Sequence, residues 1–139
     1  MFMEWILPNG LTYEDVLNYV GFVYIITNKI NNKKYIGKKV VYFKRKKKIK
    51  GKTKTVTYES DWKQYYGSSD DLKIDIKHYG IQNFERKIIS LHKNRSSMNY
   101  AEIEQQVKNN VLLEKDEQGN LLYYNRNILN KYYRNNIGK

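Results

Sequence analysis

At 139 residues the chain is long enough for one modest domain and too short for two ordinary ones, and its 40% hydrophobic content permits a packed core. The absence of cysteine excludes disulfides, thiolate catalysis and cysteine-based zinc sites, and His78 and His92 lack any metal-ligand spacing. Lysine and arginine number 26 against 14 acids, a formal charge of +12. Twelve of those cations fall between Lys33 and Lys54 with no acid among them, leaving the rest of the chain balanced at fourteen against fourteen. Such a basic stripe is the footprint of a polyanion binder, because each neutralised phosphate releases condensed counterions. The plainer reading is compositional: Lys, Asn, Ile and Tyr are what AT-rich codons supply, and lysine runs are often only solvated. No apolar stretch is long enough to span a bilayer. Met1-Phe2-Met3-Glu4-Trp5 lacks the basic start and long apolar run of a signal peptide. A cytoplasmic location is the expectation.

The Pro8-Asn9-Gly10 turn closes a short N-terminal segment. Thr12 then reads as the cap of a short helix with Glu14 and Asp15 in its first turn, ending at Gly21. Residues 21–27 (GFVYIIT) are β-branched and aromatic, as strands are, and residues 34–41 (KYIGKKVV) form a second strand across a polar turn. Residues 41–57 read as another hairpin with Lys50-Gly51-Lys52 at its tip, a basic finger suited to a phosphate backbone. The aromatic cluster Trp62, Tyr65 and Tyr66 either stacks on the bases of an opened strand or packs beneath the sheet, the commoner fate. Ser69 caps a helix with Asp70 and Asp71 in its first turn and Leu72, Ile76 and Tyr79 on its apolar face; His78 lies on its surface and Gly80 ends it. Residues 84–91 form a third strand. Ser97 or Asn99 caps the next helix, which carries Ile103 and Val107 at helical spacing. The expected fold is α/β of the α+β type: a small, mainly antiparallel three-stranded sheet flanked by helices, with an inserted basic β-hairpin. Residues 1–20 are expected to form an extension with a short helix, 21–129 the main domain, and 130–139 a basic, poorly ordered tail.

Gly21-Phe22-Val23-Tyr24, followed eleven residues after that tyrosine by Tyr35-Ile36-Gly37, resembles the signature of the GIY-YIG nuclease family, here with G-F-V-Y in place of G-I-Y. Three further features match: Glu104-Gln105-Gln106-Val107 on a late helix, Tyr124-Asn125 near the end of the domain, and the run from Ser68-Ser69 to Phe84, which is similar to the family's central helix and following strand. The resemblance covers about residues 21 to 127. It implies a magnesium- or manganese-dependent endonuclease acting on DNA, most naturally double-stranded, of the small phage or mobile-element kind. With no room for a separate DNA-reading domain, specificity would come from the hairpin, from a homodimer, or be low.

The resemblance also assigns roles. Glu104 would hold the metal, Tyr24 would act as base or orient the attacking water, and Tyr35 would hydrogen-bond the phosphate or the water. Strand periodicity allows both hydroxyls on one face of the hairpin. A tyrosine has an ordinary pKa of about 10 and needs positive charge nearby to act as a base, which the basic stripe is expected to supply. The family's helix arginine corresponds by counting to Arg45, which falls in the hairpin rather than in a helix, and Lys38 is placed to share its phosphate-stabilising role. Asn125 completes the site. Lys39, Lys44, Lys46, Lys47, Lys48, Lys50, Lys52 and Lys54 are the expected DNA contacts. Each residue has a plainer reading: Tyr24 and Tyr35 as strand packing, Glu104 as a solvated acid paired with Lys108, Asn125 as a turn cap. Glu102 is the alternative acid, two positions away on another helix face. A non-catalytic DNA- or RNA-binding module of the same fold is the alternative function.

Overall fold

The computed structural model describes residues 4–138, so residues 1–3 of the expected extension and residue 139 of the expected tail lie outside the described residues. The central strand is β2 (Gly21–Asn28), whose run GFVYIITN is buried along nearly its whole length, as a strand covered on both faces must be. It pairs antiparallel with β3 (Lys34–Val40) on one side and with β6 (Phe84–His92) on the other. The sheet has a fourth strand. Trp5–Ile6, in the segment expected to be an extension, forms β1 and pairs parallel with β6, giving the order β1-β6-β2-β3. The mixed α/β architecture is the one expected.

Side chains alternate across this sheet and build two cores. Phe22, Tyr24 and Ile26 of β2 join Phe84 and Ile88 of β6 and meet Trp5, Val16, Trp62 and Leu72. These come from β1, from α1 (Tyr13–Val16), from a single 3-10 turn (Trp62–Gln64) and from α2 (Asp70–Tyr79). Trp62 is completely buried, so of the two readings of the aromatic cluster it is packing that holds. On the other face Val23 and Ile36 pack against Met98 of α3 (Arg95–Lys108) and against Val111, Leu112, Tyr123 and Ile128. Each fully buried side chain of this size contributes about 1.5–3 kcal/mol.

Caps follow the sequence with one exception. Ser69 accepts from the Leu72 amide, and Thr12 with Asp15 forms a capping box. For α3 the cap is Asn94, accepting from Ser97 N at 2.8 Å, so the helix starts earlier than a cap at Ser97 or Asn99 implies. The tail is folded back. Asn127–Ile128 (β7) pairs with Tyr132–Tyr133 (β8), and the Arg134 guanidinium donates to the carbonyls of Leu112, Tyr123 and Asn125.

After β3 the chain leaves the sheet as a separate two-stranded ribbon, β4 (Tyr42–Ile49) and β5 (Lys52–Glu59). Its tip is the two-residue loop Lys50-Gly51, with φ of 52° and 76°. Positive φ at both central residues is the pattern of a type I′ turn, whose twist matches paired strands. The base is fastened by Tyr42 Oη donating to Leu17 O at 2.7 Å and Ser60 Oγ to Val40 O at 2.6 Å.

Candidate active site

The register of the first hairpin decides the site. Tyr24 lies opposite Gly37 and Ile26 opposite Tyr35, so both tyrosines point to one sheet face from neighbouring strands. Their ring centroids are 6.2 Å apart. Gly37 provides the space between them: a Cβ there would lie 2.6 Å from the Tyr24 hydroxyl and 2.9 Å from the Tyr35 ring. Gly67 closes the far side at φ +86°, with its own virtual Cβ 3.4 Å from the Tyr24 hydroxyl. A larger residue at Gly37 would displace a tyrosine, while one at Gly67 would press on Leu72 at 3.2 Å and strain a backbone held at positive φ.

These hydroxyls border a cleft of about 560 Å³ lined also by Lys38, Ser68, Ser69, Asp70, Glu102, Gln106, Asn125 and Arg126. Three elements converge to make it. The start of α2 brings Ser68 to Asp70, and Ser68 Oγ lies 3.3 Å from the Tyr35 hydroxyl. Helix α3 brings Glu102 and Gln106, one turn apart on the same side as Met98. The stretch before β7 runs beside β3: Lys34 N donates to Leu122 O at 2.9 Å, and Tyr124 N to Lys34 O at 2.7 Å. At the next step Asn125 replaces backbone with side chain. Its amide accepts from Ile36 N at 3.1 Å and donates to Ile36 O at 2.8 Å, while Gln106 Nε2 donates to the same carbonyl at 3.0 Å. Ile36 sits between Tyr35 and Gly37, so these three bonds fix the backbone that carries the site.

The family model described as "Putative endonuclease segE, GIY-YIG domain" matches residues 5–128. The chain belongs to the GIY-YIG family. No curated protein and no solved structure matches it. Family membership makes this a nuclease-type domain with DNA as the implied substrate. Among the described residues no helix is long and apolar enough to cross a membrane.

Within this GIY-YIG domain the expected residues separate. Tyr24, Tyr35, Lys38 and Asn125 all line the cleft. Glu104 does not; it is exposed on α3 and outside the cleft lining. Glu102 lines the cleft, half-buried, with Lys38 Nζ 3.8 Å from its carboxylate. The helical spacing of Ile103 and Val107 does not mark the side of α3 that faces the cleft. Val107 is 62% exposed, and the side of α3 that is buried runs through Met98 and Gln106, with Glu102 midway between them at helical spacing. That stripe is polar because it faces a cleft and a carbonyl, so hydrophobic periodicity misplaces it.

Two cations also fall elsewhere. Arg45 is exposed on β4 with its guanidinium 5.1 Å over the Tyr58 ring and is not part of the cleft lining. Lys39, expected to contact DNA, is buried: its ammonium pairs with Asp61 at 2.7 Å and sits 4.0 Å over the Tyr65 ring. Lys44, Lys46, Lys47, Lys48, Lys50, Lys52 and Lys54 are all exposed on the ribbon. Arg126, which sequence reasoning passed over, lines the cleft and holds Asp71 through two bonds of 2.7 and 2.8 Å. Its position directly after Tyr124-Asn125 was the available signal.

The electrostatics run against one expectation. Burial, followed by the proximity of Tyr35, Tyr65 and Glu102, pushes the Tyr24 phenol well above its ordinary range, so the basic stripe does not lower it. Burial also raises Tyr35, opposed by its hydrogen bond with Ser68. The Glu102 carboxyl is raised by burial, partly offset by Lys38.

Proposed function

We propose that this chain is a divalent-metal-dependent endonuclease hydrolysing phosphodiester bonds in double-stranded DNA, with Glu102 rather than Glu104 as the metal ligand. The observation that carries this reading is the convergence of Tyr24, Tyr35, Lys38, Glu102 and Asn125 on one cleft in a chain of the GIY-YIG family. The donors suit magnesium or manganese, which take one or two carboxylates and leave remaining positions to water and phosphate. Glu102 is half-buried with Lys38 its one partner among the described residues, and Asp70 lines the same cleft. A cation held there would supply charge against the developing negative phosphate and the departing 3′ oxygen.

The protein's own groups divide the remaining work. Tyr24 keeps its proton at neutral pH, so in the free enzyme it is a hydrogen-bond donor that orients the attacking water or a phosphate oxygen. Tyr35, tied to Ser68, does the same from the adjacent strand. Water forms the new P–O bond as the P–O3′ bond breaks, one water proton passing to solvent and the departing 3′ oxygen taking one up, and fixed donors aimed at that phosphate lower the barrier without reorganising. Lys38 and Arg126 provide the cationic side of the cleft; Arg126 can offer two parallel donors to a phosphate, competing with Asp71. Asn125 is a positioning residue, acting through Ile36.

Incubation of supercoiled plasmid with magnesium or manganese tests the reading. Nicking or linearisation that chelator stops and Glu102→Ala removes supports it. DNA retention on a gel without cutting, under every divalent ion tried, would favour a binding module that keeps the fold.

A further inference from the structure

The β4–β5 ribbon has two chemically different faces, and the two-residue turn fixes which residues belong to each. Lys44 pairs with Thr57, Lys46 with Thr55 and Lys48 with Thr53. Because side chains alternate, these six share one face, and all six are exposed. The result is a row of lysines along one strand and a row of threonines along the other. The opposite face carries Phe43, Arg45, Lys47 and Ile49 against Tyr58, Val56, Lys54 and Lys52. Near the ribbon's base that face packs on itself: the Phe43 and Tyr58 rings are 5.7 Å apart, Arg45 lies over Tyr58, and Val56 is half-buried, while Lys47, Lys52 and Lys54 towards the tip are exposed. A register slip would exchange the faces, but the short turn prevents one.

We propose that the ribbon enters the major groove of duplex DNA with its lysine–threonine face inward, so that Lys44, Lys46 and Lys48 hold the phosphates of one strand while Thr53, Thr55 and Thr57 meet base edges. The inference rests on the nuclease reading for its substrate and adds the element, the face and the groove. A major groove about 12 Å wide admits a two-stranded ribbon, and eight residues at about 3.3 Å each span roughly 26 Å, enough to follow it. Lysine suits the phosphate contacts as a flexible point charge. Threonine suits the groove floor, with a hydroxyl that both donates and accepts and a methyl that packs on the thymine methyl. Among the described residues none of the three lysines is in an ion pair, and Glu59, at the base of the same face, is held by Lys63 and Trp62. The other face spends its arginine and its aromatic rings on internal contact.

The test measures binding, so that it reports independently of cleavage. In a Glu102→Gln background, which keeps the duplex intact, two variants of equal charge change are compared. One carries Lys44→Gln, Lys46→Gln and Lys48→Gln; the other carries Arg45→Gln, Lys47→Gln and Lys54→Gln. The first is expected to reduce the slope of log affinity against log salt by about 2.7, so the penalty for raising salt from 50 to 200 mM shrinks about fortyfold. The second is expected to change the slope by less than about 1. A third variant, Thr53→Val, Thr55→Val and Thr57→Val, keeps the slope but flattens preference among sequences in a randomised duplex pool. Methyl green, a major-groove ligand, should displace the protein, and netropsin, a minor-groove ligand, should not. Equal slope changes in both lysine variants, or a larger one from the second, would overturn the one-face assignment; displacement by netropsin alone would overturn the groove. Binding that follows this pattern in a protein whose wild type never cuts would sink the nuclease reading and leave the ribbon standing.

Discussion

The cleft and the ribbon are both built for a polyanion, and they do it by opposite means. In the cleft a few groups are held by packing and by hydrogen bonds that leave little freedom: Ile36 takes three bonds, and Gly37 leaves the Tyr24 hydroxyl no slack. On the ribbon the cations are numerous and exposed, and interchangeable along one face. The first region depends on which atom sits where; the second on how many charges share a face. A substitution that matters in one should therefore be minor in the other.

The sharpest way to break that contrast is to remove one atom from the cleft. Tyr24→Phe deletes a single hydroxyl and is expected to slow single-turnover plasmid nicking about 10²–10³-fold, the range for losing one preorganised donor. Its stability in denaturant should stay within about 1 kcal/mol of the wild type. Next is Gly37→Ala, which adds one carbon where none fits. It should cost about 1–3 kcal/mol in equilibrium unfolding and depress nicking as well, because the tyrosines must move to accommodate it. Asn125→Ala should cost a similar 1–3 kcal/mol by leaving Ile36 N without its acceptor, while Gln106 still serves the carbonyl.

A smaller effect has a definite sign. Burial raises the Glu102 carboxyl above its unfolded value, with Lys38 opposing. A raised group contributes stability that is fully present below the unfolded pKa, about 4.3, and is lost as pH rises through the folded one. Glu102→Gln should therefore melt above the wild type at neutral pH, with the gap closing below about pH 4. Thermal scans across that range check it. The smallest effect belongs to the ribbon's packed face: Arg45→Gln should leave the nicking rate unchanged and shift the salt slope by less than about 1.

The same contrast explains what could be read from the residues alone. The hairpin that carries Tyr24 and Tyr35 was legible because strand composition, a polar turn and a spaced pair of glycines agree. The ribbon was legible because charge is additive and needs no register. That Glu102, named only as the alternative acid, is the one lining the cleft was not, because the buried side of α3 is polar and Ile103 and Val107 suggest a different face. Lys39 was not, because nothing in a lysine run marks the one member that folds inward onto Asp61 and Tyr65. Trp5–Ile6 escaped because two residues carry no periodicity, and the tail because Arg134 acts through three carbonyls rather than through apolar pattern. Arg45 matched by counting, but a ribbon inserted after β3 carries that position away from the cleft.

The central claim is that α3 presents Glu102, not Glu104, to the reacting phosphate. Glu102→Gln and Glu104→Gln, purified side by side and shown to be folded by their thermal transitions, should be assayed on supercoiled plasmid with magnesium and with manganese. The account predicts that Glu102→Gln loses nicking by three orders of magnitude or more, roughly what a lost metal ligand entails, while Glu104→Gln cuts like the wild type. Loss of activity in Glu104→Gln with full cutting by Glu102→Gln would contradict it.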